Sequence, residues 1–532
     1  MKKIFVIVFF VHLITLNICS AQITFEKKIT GLLRGGTSRI CEQTLDSGFI
    51  VAATATVLGQ LKNACVLTKF TATGDTSWTK IFLGEGNYNV TAVYQLRDGG
   101  YLIGGDTAVF VAGNYCMFLI RTDAAGNRIW TKTYGPSTDW THFRSADETQ
   151  DGGFVLVGSE SAYGAGEYDI LLVRTDENGD TLWTRTYGGP HYDDGQDVME
   201  TSQKDLLVTG YFRPNSSVND RMLVMKCDSS GNTIWAKTFG GTHIDRGLAV
   251  CEASDGNFLA VGLSNSFGHQ LTIGYTGSTY IVKFDTNGDT LWTKAYINTI
   301  GSHNFGNSIR ETQDAGYIIA GNVQNDTVST SKPDALMLKI DSSGNPLWAK
   351  GYGGLLREDG YTAMETTDGG YLLCGVTDDN EGIYIVKTDS LGNSFCNDSS
   401  IVFTAASTPT LVTNVIPLVY SGVVVSNPVI RDSSGTEVVT YCSTVDIGPA
   451  SASATSQIKL FPNPARSEFT VLDNSMNLSG QIEVYDVVGK KILQREIQNG
   501  REVISCSNFG KGIYFVRIVS GSENFFQKLL VE

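Results

Sequence analysis

An imidazole has the ordinary pKa closest to neutrality, so a group of histidines can trade protons with a ligand, hold a metal or act as general acid and base. Four of the chain's six histidines, His142, His191, His243 and His303, lie in segments rich in other titratable and aromatic groups; His269 is elsewhere. With them come Trp140, Asp193, Asp194, Asp245, Arg246, Arg357, Glu358 and Asp359. A carboxylate pair such as Asp194 and Asp245 would hydrolyse glycosides if the two stood roughly 5–10 Å apart across a cleft. No Ser-His-Asp order, Gly-rich phosphate loop or metal-ligand spacing accompanies them. The acids also share one register, as Asp193-Asp194-Gly195, Asp245-Arg246-Gly247 and Glu358-Asp359-Gly360, alongside Asn304-Phe305-Gly306. That recurrence supports a second reading, in which they cap a turn ahead of a strand. Both readings stay open. The ligand-contacting set is His142, His191, Asp193, His243, Asp245, Arg246 and His303, with no catalytic residue, metal or cofactor expected.

Asp176-x-Asn178-Gly179-Asp180 and Asp285-x-Asn287-Gly288-Asp289 imitate the opening of a calcium loop, but the glycine comes fourth rather than sixth. The turn recurs as Asp-x-x-Gly-Asn at 123–127, 228–232, 341–345 and 389–393, which makes it part of a repeat. Cys41, Cys65, Cys116, Cys227, Cys251, Cys374 and Cys506 are scattered singly, with no C-x-x-C, and read as small buried hydrophobes. Cys396 and Cys442 bracket a Ser/Thr/Val-rich stretch and suggest a disulfide in an exported chain.

The elements that must position these groups are repeated. Residues 146–189 contain the turn Asp151-Gly152-Gly153, the apolar runs 154–158 and 170–174, the turn 176–179 and a run ending in Trp183-x-Arg185. Short β-branched and aromatic runs between Gly/Asp/Asn clusters are strands, and glycine supplies the positive φ of a tight turn. With the strand before Asp151, the unit has four antiparallel strands, the size of a propeller blade. Trp78, Trp130, Trp183, Trp235, Trp292 and Trp348 mark the copies at spacings of 52 to 57 residues, and Phe395 stands in for the seventh. The Trp is expected to wedge between neighbouring blades. The Asp-Gly-Gly turn is intact at 98–100, 151–153 and 368–370, and degraded at 46–48, 203–205, 255–257 and 314–316. Phe25 and Lys27 match the Trp-x-Lys pattern, so residues 23–30 are predicted as the outer strand of the last blade, closing the ring without a free edge.

The expected architecture is all-β. A signal peptide occupies 1–21, a seven-bladed β-propeller 22–396, a linker 397–457 with extended structure at 417–439, and a small Ig-like β-sandwich 458–532. The blade unit resembles the DGG-type repeats of secreted Bacteroidetes proteins and, more distantly, the tryptophan-docking repeats of quinoprotein-like propellers. The C-terminal region carries Leu460-Phe461-Pro462-Asn463-Pro464, Val484-Tyr485-Asp486-Val487-Val488-Gly489-Lys490, Gly512-Ile513-Tyr514-Phe515-Val516-Arg517 and Lys528-Leu529-Leu530-Val531-Glu532. In this order they resemble the sorting domain of the type IX secretion system. The resemblance implies export by that machinery through 458–532, followed by release or surface attachment.

Charge narrows the partners. The 40 basic and 55 acidic residues leave a net charge of −15, which repels nucleic acid and anionic membrane. No transmembrane segment is expected, and the chain is expected to act as a monomer. The expectation is an exported propeller that binds a glycan or protein partner without catalysis. The alternatives are a secreted polysaccharide-acting or quinoprotein-like enzyme, and a structural surface protein without a specific ligand.

Overall fold

The computed structural model describes residues 22–30, 40–56, 63–84, 86–108, 115–135, 140–162, 164, 166–216, 219–268, 277–298, 303–324, 332–354, 356–377, 382–415, 418–420, 425–426, 430–433, 437–443, 458–461, 465–473, 480–485, 491–498, 501–520 and 523–531. They fall into two compact units, Met1–Cys442 and Ser443–Glu532. Residues 1–21, expected as a signal peptide, lie outside the described residues. Among the described residues every regular element is a strand and none is a helix.

The first unit contains seven five-stranded sheets. The third is typical: Thr141–Glu148, Phe154–Glu160, Asp169–Thr175 and Thr181–Gly188 pair antiparallel in chain order. Its two middle strands are buried at every residue, as happens when both faces of a sheet are covered by neighbours. Buried clusters join consecutive sheets, for example Leu119 of the second with Phe143, Leu156 and Val173 of the third. Phe25, Phe49, Leu372 and Ile385 form such a cluster between the seventh sheet and the first.

The strand Phe25–Thr30 pairs with Gly382–Thr388 and completes the seventh sheet from the N-terminal side. Phe25 lies opposite Lys387, just as Trp183 lies opposite Arg174 in the third sheet. Phe25 therefore takes the seventh tryptophan position. Phe395, which the sequence suggested for it, is 63% exposed and outside any strand.

The consensus residues turn out to be interlocks. The main-chain N–H after the turn threonine, or its equivalent, donates to a Glu or Gln side chain of the next sheet. The bonds run from Leu45 to Gln95, Arg97 to Glu148, Gln150 to Glu200, Ser202 to Glu252, Ser254 to Glu311, Gln313 to Glu365 and Thr367 back to Gln43, at 2.6–3.0 Å. A second set lies within each sheet, where Lys or Arg of the third strand binds the turn aspartate. The seven pairs are Lys69–Asp46, Arg121–Asp98, Arg174–Asp151, Lys226–Asp205, Lys283–Asp255, Lys339–Asp314 and Lys387–Asp368, at 2.5–3.0 Å.

A third set crosses between sheets at the outer strand. The Trp130 ring closes on Gly179, where an added Cβ would sit 2.9 Å from it and where φ is +73°, a conformation that favours glycine. Trp183 and Trp235 donate Nε1–H to Ser229 and Thr286 carbonyls. Lys132 and Lys237 reach Asp180 and Asp289 in the next sheet at 2.6 and 2.8 Å.

The stretch 397–457 is not the free linker its composition suggested. Asp398–Ser400, Phe403–Ser407, Leu411–Asn414, Leu418–Tyr420, Val425–Ser426, Ile430–Ser433 and Glu437–Ser443 add one strand each to the sixth, fifth, fourth, third, second, first and seventh sheets. The chain thus retraces the sheets in reverse order as an outer belt, and each sheet has five strands rather than four.

Two cysteines also depart from expectation. Cys41 and Cys374 form a disulfide between the first and seventh sheets, across a sequence separation of 333. Cys65, Cys227, Cys251 and Cys506 are free thiols, and Cys65, Cys116, Cys227 and Cys506 are buried, as expected of small hydrophobes. Cys396 is disulfide-bonded, and the side chain of Cys442, its expected partner, lies outside the described residues.

The second unit has a three-stranded sheet, Ile458–Phe461, Glu468–Asp473 and Arg501–Ser505, and a four-stranded one of Lys491–Ile497, Gly480–Tyr485, Gly512–Ser520 and Glu523–Val531. Phe469, Ile482, Val516 and Leu529 are part of its core.

Candidate functional site

Antiparallel order sends two kinds of connection to opposite ends of each sheet. One end carries the repeated turns. There the calcium-like motifs are self-contained: the Oδ1 atoms of Asp176 and Asp285 each accept main-chain N–H groups two and four residues on, at 2.8–2.9 Å. Among the described residues no group of three or more His, Cys, Asp or Glu is placed to hold a metal ion.

The other end carries the irregular loops and the sheet-to-sheet connectors, with the candidate acids. Asp193 is fully buried and accepts N–H bonds from Gly189 at 2.7 Å and Arg213 at 2.8 Å. Burial pushes its carboxyl up to about 7; those N–H groups oppose the shift and Asp169 reinforces it. Asp245 is also fully buried, bonded to Ser264, Ser266 and the Gly241 N–H. Burial raises its pKa against those bonds. Glu358 accepts from Thr377 and Gly354 in the same register. These acids close connectors, as the capping alternative anticipated. Asp194 is fully buried against Arg144 at 2.9 Å and the Tyr211 hydroxyl at 3.2 Å. Asp194 and Asp245 thus keep separate partners.

The histidines occupy different settings. His243 donates its main-chain N–H to Ser266 Oγ. His303 accepts the Gly277 N–H on Nδ1 at 3.2 Å, and His191 is half-buried in a connector. His142 lies on an inner strand, with Nδ1 3.6 Å from Asp106.

Around His142 the structure assembles a feature that the sequence did not reveal. Tyr115 lies 5.1 Å from Trp140 and 6.2 Å from His142, measured between ring centroids. His142 stacks on Tyr168 at 6.1 Å, Tyr168 meets Tyr192 at 5.0 Å, and Tyr192 stacks on Tyr211 at 6.0 Å. Arg246 covers Tyr211 at 4.4 Å and binds Asp220 through Nε at 2.8 Å. The row spans the second to the fifth sheet. Tyr115 and Tyr168 share one register of the repeat, and Trp140 and Tyr192 share another, but each recurrence covers only two neighbouring copies, so no pattern running through the whole repeat marked them. Trp140, which the sequence did single out, is 40% exposed.

Inner strands also line a cavity of about 250 Å³ that includes Ser145, Asp197, Cys251, Arg310 and Tyr361. Its polar groups are engaged with the scaffold: Asp197 accepts from Ser145 and the Val250 N–H, and Arg310 pairs with Glu42 at 3.3 Å.

Comparison with known proteins bears chiefly on the second unit. No curated protein matches the chain. Among solved structures, a mannose phosphorylase from Leishmania mexicana is similar at 9% identity and a TM-score of 0.26, over 60% of this chain and 87% of that one. The extracellular domain of a putative one-component system from B. thetaiotaomicron is similar at 7% identity and a TM-score of 0.18, over 95% and 98%. Both scores are far below that of a shared fold. Residues 459–532 match the secretion system C-terminal sorting domain family. The protein is accordingly secreted or attached to the outer-membrane surface.

Proposed function

We propose that the seven sheets are the blades of a closed propeller, exported by the type IX route with residues 1–21 as its signal. Its irregular face binds a ligand without catalysis. The observation that carries this reading is the contrast between the two ends of the sheets. One end is spent on interlocks repeated from sheet to sheet, whereas the other, beside its recurring connector acids, holds side chains that vary between junctions and include half-exposed aromatic rings. Loops held by a rigid scaffold are free to specialise. On this reading His142 and Arg246 contact the ligand, His191, His243 and His303 border the site, and Asp193 and Asp245 shape its connectors. The ligand class is a glycan or a protein surface. Binding of the mature chain to a combined glycan and protein array, beside a hydrolase and dehydrogenase activity screen, tests the reading. A specific ligand without turnover supports it, and turnover or the absence of any ligand overturns it.

A further inference from the structure

We propose that Trp140, Tyr115, His142, Tyr168 and Tyr192 form a platform for a neutral polysaccharide chain, an inference that rests on the ligand-binding reading above. Features that build the fold recur from sheet to sheet, as the turn aspartates and the Glu or Gln locks do. The aromatic row is confined to two neighbouring copies: the position of Tyr115 and Tyr168 holds Asp220, Gly277 and Pro333 in the fourth, fifth and sixth sheets, and the position of Trp140 and Tyr192 holds Ile244 and His303 at the next two junctions. The inner-strand position of His142 before its bulge is filled by Asn89, Asp194, Arg246, Phe305 and Asp359 in the second, fourth, fifth, sixth and seventh sheets. Six of the seven tryptophans occupy the outer-strand position and Trp140 alone does not. At 40% exposure, the Trp140 ring is only partly used by the scaffold.

The chemistry of the row selects its occupant. A pyranose offers a face of C–H bonds and a rim of hydroxyls. An aromatic ring packs on the face, and phenol or imidazole groups bond the rim. Centroid spacings of 5.0–6.2 Å are comparable to one sugar unit, so neighbouring rings can meet neighbouring sugars. The charges beside the row are engaged in ion pairs: Arg144 with Asp194, and Arg213 and Arg246 together with Asp220, while His142 faces Asp106. An anionic or cationic polymer would have to break these pairs, while a neutral one need not. The chain's net charge of −15 further disfavours a polyanion.

The test is affinity gel electrophoresis and fluorescence titration of the mature full-length protein. The probes are soluble mannan, β-1,3-glucan and arabinoxylan, with polygalacturonate as the charged comparison. At least one neutral polymer should retard the protein. Trp140→Ala and Tyr168→Ala should each weaken retardation about tenfold or more, equivalent to roughly 1.4 kcal/mol, with thermal midpoints unchanged. Tyr168→Phe should keep most of the binding, and Trp140→Phe should remove the ligand-induced fluorescence change. Retardation insensitive to Trp140→Ala and Tyr168→Ala, or given by polygalacturonate alone, overturns the inference. Binding to a protein target with no polysaccharide retardation overturns it while leaving the ligand-binding reading intact; no ligand of either kind removes both.

Discussion

Ser47, Lys204 and Ala315 hold φ at 63°, 67° and 59°, at the turn position where Gly99, Gly152 and Gly369 sit in intact copies. The turn survives without its glycine because its brace is intact: Thr44 and Thr312 donate to Asp46 and Asp314, which also bind Lys69 and Lys339. A side chain in the left-handed region costs about 1–2 kcal/mol. Part of that is returned as unfolded-chain entropy when glycine is installed. Lys204→Gly and Ala315→Gly should therefore each stabilise the protein by about 0.5–1 kcal/mol, read as a higher urea midpoint. Titration at the two ends of the sheets pulls in opposite directions. Against the cost of burial, hydrogen bonds from Thr149, Arg174 and the Gly153 N–H hold Asp151 down at about 2, and Asp314 is held at about 2 by Lys339, Thr312 and Gly316. Their contribution is present above the unfolded value and is lost as pH falls through about 2. Asp193, raised to about 7, keeps its proton in the folded state after the unfolded chain has released it, so stability falls as pH rises from about 4 to 7. Thermal midpoints between pH 2 and 8 should peak near about pH 4 to 5. Asp193→Asn should flatten the upper limb, and an unchanged upper slope would assign it to other groups.

At the scale of elements, the seam between the first and seventh sheets differs from the other junctions. The inner strand Cys41–Gln43 has only three residues, and the closing strand Phe25–Thr30 comes from a distant part of the chain. The Cys41–Cys374 disulfide lies across this seam. Closing so long a loop stabilises by on the order of 5 kcal/mol in the chain-entropy model. Cys41→Ser with Cys374→Ser should lower the thermal midpoint. Hydrogen exchange should then lose protection first at Phe25–Thr30 and Cys41–Gln43, while Thr141–Glu148 stays protected. Loss spread evenly over the sheets would make the bond a global brace rather than a clasp. Much of the sheet architecture was legible in the sequence because strand, turn and interlock recur within one short unit, so Phe25 could be matched to Trp183 by pattern. Cys41 and Cys374 were not, because cysteines on separate strands gain their proximity only when the first and last sheets meet. Nor was the meeting of Tyr115, Tyr168 and Tyr192, because the first two stand at the entry to the third strands of the second and third sheets and the last in the connector between the third and fourth. In the candidate site the shared register of Asp193, Asp245 and Glu358 did betray their capping role. The expectation that His191, His243 and His303 accompany His142 as ligand groups came from position alone, and His243 and His303 are tied to their own connectors by different bonds.

At the scale of the whole molecule, the belt changes what the region ahead of the sorting domain does. A strand at the outside of a sheet leaves a row of unpaired N–H and C=O groups, a template for aggregation. Seven four-stranded sheets would present seven such edges, and the belt pairs with each of them. It needs no alternating pattern for this, only short extended Ser, Thr and Val segments, so its composition resembled a linker. A chain ending at residue 443 should keep the native thermal midpoint yet remain inside the cell, because it retains the belt and lacks the 459–532 sorting domain. A chain ending at residue 396 should lose about 5 °C or more and aggregate on concentration, with amide protection lost first in outer strands such as Thr181–Gly188 and Thr233–Gly240. Equal midpoints and equal outer-strand protection in the two chains would make the belt a passenger. Export of the 443-residue chain at normal levels would separate the sorting match from delivery. The two truncations isolate the roles because the belt strands end at Ser443 and the family match begins at residue 459.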